Sequence, residues 1–154
     1  MYPRFQTKIS WRLILLWALV GFSVSGCRFD TPEHPVPYVP VDETVYLNSA
    51  SAYDLQFVGG HMILPNHGYK GIIIYRRTDF GESNDFGVYD LTCPNHVDDA
   101  CGAVEVVDGI YGQCSCDDQE FLLHDGAAMN GETTWGLRPY QADYNGVSLR
   151  IRGM

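Results

Sequence analysis

Two short segments, Thr92-Cys93-Pro94-Asn95-His96 and Cys114-Ser115-Cys116-Asp117-Asp118-Gln119-Glu120-Phe121, hold three of the four cysteines that follow Cys27, and Cys101 lies between them. What separates the segments reads as a hairpin. Residues 104–107 and 110–113 are short β-branched and apolar runs on either side of Asp108-Gly109, and Asx-Gly is the preferred pair for a two-residue type I′ turn. Residues 120–123 supply a further strand-like run. The cysteine segments therefore read as loops, residues 92–102 and 113–121, between strands.

Outward from this hairpin the same pattern recurs. Residues 44–47, 55–58, 61–64, 71–76, 86–91, 137–143 and 147–152 are apolar or β-branched runs bounded by Gly, Asn and Asp, as expected of an all-β fold. Asn145-Gly146 predicts a second type I′ hairpin, Gly59-Gly60 another tight turn, and residues 49–53 one short helical turn. Within Gly71-Ile72-Ile73-Ile74-Tyr75 apolar residues run without alternation, which predicts a central strand covered on both faces. Tyr69, Tyr75, Tyr89, Tyr111, Trp135, Tyr140 and Tyr144 are candidates for a ligand groove, although aromatics in a small β-domain mostly form core and cross-strand pairs.

The two cysteine segments resemble the cluster-binding loops of a Rieske iron-sulfur domain. In that family each loop supplies one Cys and one His, in the patterns C-x-H and C-x-x-H, so that two thiolates hold one iron and two imidazoles the other. The thiolate positions fall on Cys93 and Cys114, whereas Asn95 and Asp117 stand where the imidazoles would be. Many Rieske proteins join the loops by a disulfide, and Cys101 and Cys116 stand at its positions. Phe121-Leu122-Leu123-His124-Asp125-Gly126 is similar to the family's strand and Asp-Gly turn, and residues 137–151 to its closing hairpin. The family's Gly-Ser after the second His is Asp118-Gln119 here, and the prolines of its later loop are missing from residues 131–137. The resemblance implies an antiparallel β-sandwich over residues 41–154, with a small cluster-loop subdomain.

Three chemistries compete at the cysteines. In the first there is no cofactor: Cys93 pairs with Cys114 and Cys101 with Cys116, a connectivity implied by the resemblance, and the domain is structural or partner-binding. In the second a [2Fe-2S] cluster is retained on Cys93 and Cys114, with His96 and Asp117 as substitute ligands, and the protein transfers electrons. In the third Cys93, His96, Cys114 and Cys116 bind zinc, which leaves Cys101 without a partner. No catalytic set is legible. His61, His67 and His124 are dispersed, and the sequence holds no G-x-S-x-G, H-E-x-x-H or phosphate-binding glycine loop.

The chain opens with Arg4, Lys8 and Arg12, an apolar stretch over residues 13–22, and the small residues Ser23, Ser25 and Gly26 before Cys27. Residues 1–26 read as a secretory signal, and Val24-Ser25-Gly26-Cys27 resembles a bacterial lipobox. The expectation is an envelope lipoprotein held to the membrane by a lipidated Cys27 and facing an envelope protein partner. Residues 27–40 carry Pro32, Pro35, Pro37 and Pro40 and read as a stiff tether, with His34 a solvated part of it. Removing Arg4, Lys8 and Arg12 from the ten basic residues leaves seven against nineteen acidic ones, a net charge of −12. Nucleic acid is thereby disfavoured as a partner. The 127 residues after Cys27 suffice for one domain and not two.

Overall fold

The computed structural model describes residues 33–129 and 133–153. The expected signal over residues 1–26, the lipidation at Cys27 and the first part of the tether lie outside them. Nine strands form three antiparallel three-stranded sheets among the described residues. The protein is all-β. Strands β1 (Asp42–Tyr46), β9 (Ser148–Arg152) and β8 (Gln141–Tyr144) make one sheet in that order. Strands β2 (His61–Leu64), β3 (Ile72–Arg76) and β4 (Phe86–Asp90) make the second, and β5 (Val104–Val107), β6 (Tyr111–Cys114) and β7 (Glu120–Leu122) the third.

The unalternating run of isoleucines explains how the sheets stack. Ile72, Ile73 and Ile74 are all fully buried, yet successive strand residues point to opposite faces. Ile72 and Ile74 join Val45, Leu55, Phe86, Leu149 and Ile151 in one core. Ile73 and Tyr75 join Tyr89, Cys93, Val104, Cys114, Phe121 and Leu137 in another. The sheet of β2, β3 and β4 is thus the middle layer. Each isoleucine side chain removed from water contributes about 1.5–3 kcal/mol.

Several local expectations are corrected. Residues 55–58 form no strand; two short 3-10 turns joined by a kink at Ala52 occupy Ala50–Gln56 and bury Ala52 and Leu55. Asp108 and Gly109 do take positive φ (53° and 68°), and Ile110 follows as an extra residue before the Val107↔Tyr111 pair. Asn145-Gly146 makes a longer loop than expected, because the Asn145 side chain accepts hydrogen bonds from the backbone of Val147 and Ser148. Residues 137–140 do not belong to β8; Pro139 has no N–H to give a ladder and makes only an isolated bridge to Tyr89.

The largest departure is at residues 33–40. These residues belong to the compact unit that begins at Glu33, and they pack against it instead of extending as a free tether. Val36 is fully buried. The His34 ring hydrogen-bonds the Gly136 carbonyl at 3.0 Å and lies edge-on to Trp135. His34 is therefore a docked residue, and burial together with the nearby Arg138 lowers its pKa below the ordinary value.

Candidate disulfide-closed loop site

Strands β5 and β6 bring the two cysteine loops together. The first is closed at its base by the Thr92↔Ala103 bridge and by the Cys93 N–H donating to the Gly102 carbonyl at 3.0 Å. In the second the Cys114 N–H donates to the Gln119 carbonyl at 2.8 Å. Gly102 is required by close approach, since a Cβ there would lie 1.7 Å from the His96 carbonyl oxygen. Asp118 takes the left-handed conformation (φ 58°) that glycine adopts without strain.

Cys93 bonds to Cys114 and Cys101 to Cys116, with Cα separations of 5.7 and 5.1 Å. The two bridges differ in environment. Cys93 and Cys114 are buried in the second core, whereas Cys101 is exposed and Cys116 half-buried. The inner bridge thus forms part of the core, and the outer one crosses its mouth.

His96 lies between the loops, and both ring nitrogens are engaged. Nδ1 faces Asp99 Oδ2 at 2.8 Å and Nε2 faces Asp117 Oδ2 at 3.1 Å. The hydrogen bond to Asp99, and with it the one to Asp117, raises the imidazole pKa above its ordinary value of 6.5. Asp117 also accepts from the Gln119 N–H at 3.2 Å. Asn95 is exposed. The first loop is further tied down by Tyr69, whose hydroxyl donates to Asp98 at 3.1 Å, and by Lys70, whose ammonium donates to the Asp99 carbonyl.

These residues do not fit the groups the family would place here. A [2Fe-2S] cluster of the kind the resemblance implies takes thiolates and imidazoles, but Cys93 and Cys114 share a bond, Asn95 is exposed and offers a carboxamide, and His96 spends both nitrogens on carboxylates. The zinc set of Cys93, His96, Cys114 and Cys116 does not assemble either, because its three sulfurs are divided between two disulfides. Among the described residues, the donor atoms that do converge, within 4.8 Å, are those of His96, Asp99 and Cys116. There the sulfur is already bonded. The remaining histidines stay apart, with His67 facing Glu43 at 3.3 Å and the His124 carbonyl accepting from the Tyr89 hydroxyl. Most aromatic groove candidates serve packing, as Tyr75 and Tyr89 do in the core and Tyr144 does edge-on to Phe86.

Sequence reasoning missed Asp90. It is fully buried at the end of β4 and, among the described residues, has no ion-pair partner. It accepts from the backbone N–H groups of Tyr69 (2.7 Å) and Lys70 (3.4 Å), from the Tyr140 hydroxyl (3.0 Å) and from the Thr92 hydroxyl. Such donors take the place of the lost water, and they fix the root of the first loop directly before Cys93.

No family model and no curated protein matches the chain. A solved structure described as the small subunit of a nitrite reductase (NADPH) oxidoreductase is similar at 13% identity and a TM-score of 0.39, over 71% of this chain and 97% of that one.

Proposed function

We propose that this chain is a bacterial envelope lipoprotein whose domain is a Rieske-like fold without its cluster, closed by disulfides and serving a structural or partner-binding role. The observation that carries the reading is the bond between Cys93 and Cys114, which occupies both sulfurs that would otherwise hold an iron. The side chains at the two imidazole positions, Asn95 and Asp117, point the same way. Anchoring rests on the lipobox-like Val24-Ser25-Gly26-Cys27, since several acyl chains on one cysteine hold a protein firmly at a membrane. An electron-transfer role through a [2Fe-2S] cluster on Cys93, Cys114, His96 and Asp117 is the alternative.

The test is metal and inorganic sulfide analysis of the full chain purified without oxygen, with a visible spectrum and a count of free thiols under denaturing conditions. The expected result is a colourless protein with neither iron nor sulfide and no free thiol among Cys93, Cys101, Cys114 and Cys116. Iron and sulfide in equal, stoichiometric amounts would establish electron transfer instead. Stoichiometric zinc with a free Cys101 would mean the third chemistry.

A further inference from the structure

The docked strap of residues 33–40 creates a feature that the cysteine loops do not explain. Between it and the closing hairpin lies a cleft of about 340 Å³, whose lining includes His34, Tyr38, Arg138, Pro139, Tyr140 and Arg152. The walls are largely apolar, and no carboxylate is among their side chains. Two other clefts of similar size on the same hairpin both include Asp143. In a protein of net charge −9, a pocket lined by two guanidinium groups, of which Arg152 is paired with Asp143 outside the lining, and by no acid is unlike the two clefts beside it.

The donors there are only partly used. Among the described residues Arg76, Arg150 and Arg152 pair with carboxylates. Arg138 does not. One of its nitrogens, Nη1, donates to the Val36 carbonyl at 2.6 Å, and its guanidinium lies over the Tyr38 ring at 5.3 Å. Among the described residues the other N–H groups of this planar fork have no acceptor. The Tyr38 hydroxyl is buried beside Gly153 and has no hydrogen-bond partner among the described residues. The buried carboxylate of Asp90 accepts from the Tyr140 hydroxyl and is already supplied with further donors by Tyr69, Lys70 and Thr92.

We propose that this cleft binds a small organic anion, a single ring or comparable apolar body bearing one carboxylate or phosphate. The tyrosine and proline walls take the body, and the fork of Arg138, assisted by Arg152, takes the anionic group. Volume limits the ligand, since 340 Å³ is at the small end of the range of about 300–1,000 Å³ for ligand sites. The inference is independent of the reading of the cysteine loops.

The test is isothermal titration calorimetry of the full chain with benzoate, phenyl phosphate, inorganic phosphate and benzyl alcohol. Benzoate or phenyl phosphate should saturate one site, and whichever binds more tightly identifies the anionic group. Inorganic phosphate, which lacks the body, and benzyl alcohol, which lacks the charge, should each bind at least about tenfold more weakly. Arg138→Lys, which keeps the charge but loses the fork, should weaken binding about tenfold. Because Arg138 also holds the strap, Arg152→Gln at an exposed position serves as the second variant and should weaken binding without unfolding the protein. The proposal is overturned if neither aromatic anion gives a saturable heat. It is likewise overturned if inorganic phosphate binds as well as phenyl phosphate, or if both variants bind like the wild type.

Discussion

His96 and His34 carry opposite pH signatures, and both follow from what their rings touch. The carboxylate of Asp99, then that of Asp117, raises the His96 pKa in the folded protein. Its stabilising contribution is therefore complete below the unfolded value of about 6.5 and is lost as pH rises through the folded value. The expected outcome is a ring titration by NMR with a midpoint above 6.5, moved back toward it by Asp99→Asn. Correspondingly, the urea midpoint should decline above pH 6.5 in the wild type and stay flatter in His96→Gln. For His34 burial lowers the pKa, so stability is complete above 6.5 and falls as pH drops below it. Asp85 shows a third pattern. It is buried, and against the desolvation that would raise its pKa, the Thr78 hydroxyl and the N–H groups of Phe80, Glu82 and Gly81 hold it at about 2. Its contribution is present above the ordinary 3.8 and is lost as pH falls toward 2. Asp85→Asn keeps the shape but not the charge, and should cost about 1–3 kcal/mol in urea unfolding at pH 7, with a smaller difference at pH 2 to 3.

At the level of strands and loops, the two disulfides make the sharpest contrast. Their loops span 21 and 15 residues, so chain entropy alone makes each worth about 3 kcal/mol. Packing separates them. Replacing Cys93 and Cys114 by Ala also removes two buried sulfurs from the second core, whereas replacing the exposed Cys101 and its partner removes little. The inner double variant should therefore be the less stable of the two by urea unfolding. On stepwise addition of a dithiol reductant, alkylation and mass analysis should find Cys101 and Cys116 labelled before Cys93 and Cys114. The pairing was one of the alternatives the resemblance implied, and β3 was legible because a short β-branched run bounded by Gly71 is too short for a helix and reads as a strand covered on both faces. The strap was not, because its docking depends on one buried valine and on ring-to-backbone contacts that leave no periodicity in a proline-rich segment. Residues 55–58 misled for the related reason that Leu55 is as apolar in a 3-10 turn as in a strand. Asp90 was invisible because a single Asp at a strand end looks the same whether it faces water or four donors.

The three-layer arrangement makes the whole molecule depend on β3, which gives side chains to both cores. The outer layers are not equivalent. The sheet of β1, β9 and β8 has strands of five, five and four residues, and its core includes long side chains such as Phe86, Tyr140, Leu149 and Ile151. The sheet of β5, β6 and β7 has only four, four and three residues, and two of the side chains in its core are the sulfurs of Cys93 and Cys114. Three short strands with one small hydrophobic face are near the lower limit of independent stability, so this layer relies on cross-links more than its counterpart does. With both disulfides intact, amide exchange should protect β3 and β6 to a similar degree, as one cooperative unit. After full reduction the loop constraint disappears. The amides of Gly112, Gln113 and Phe121 should then exchange faster by the factor that a loss of several kcal/mol produces, while those of Ile72, Ile74 and Leu149 keep most of their protection. Equal loss of protection in both groups would mean that β3 transmits the damage and that the two cores do not unfold separately. That comparison also bears on function, because a loop pair whose order requires its disulfides can present a fixed partner-binding surface only where the surroundings are oxidising.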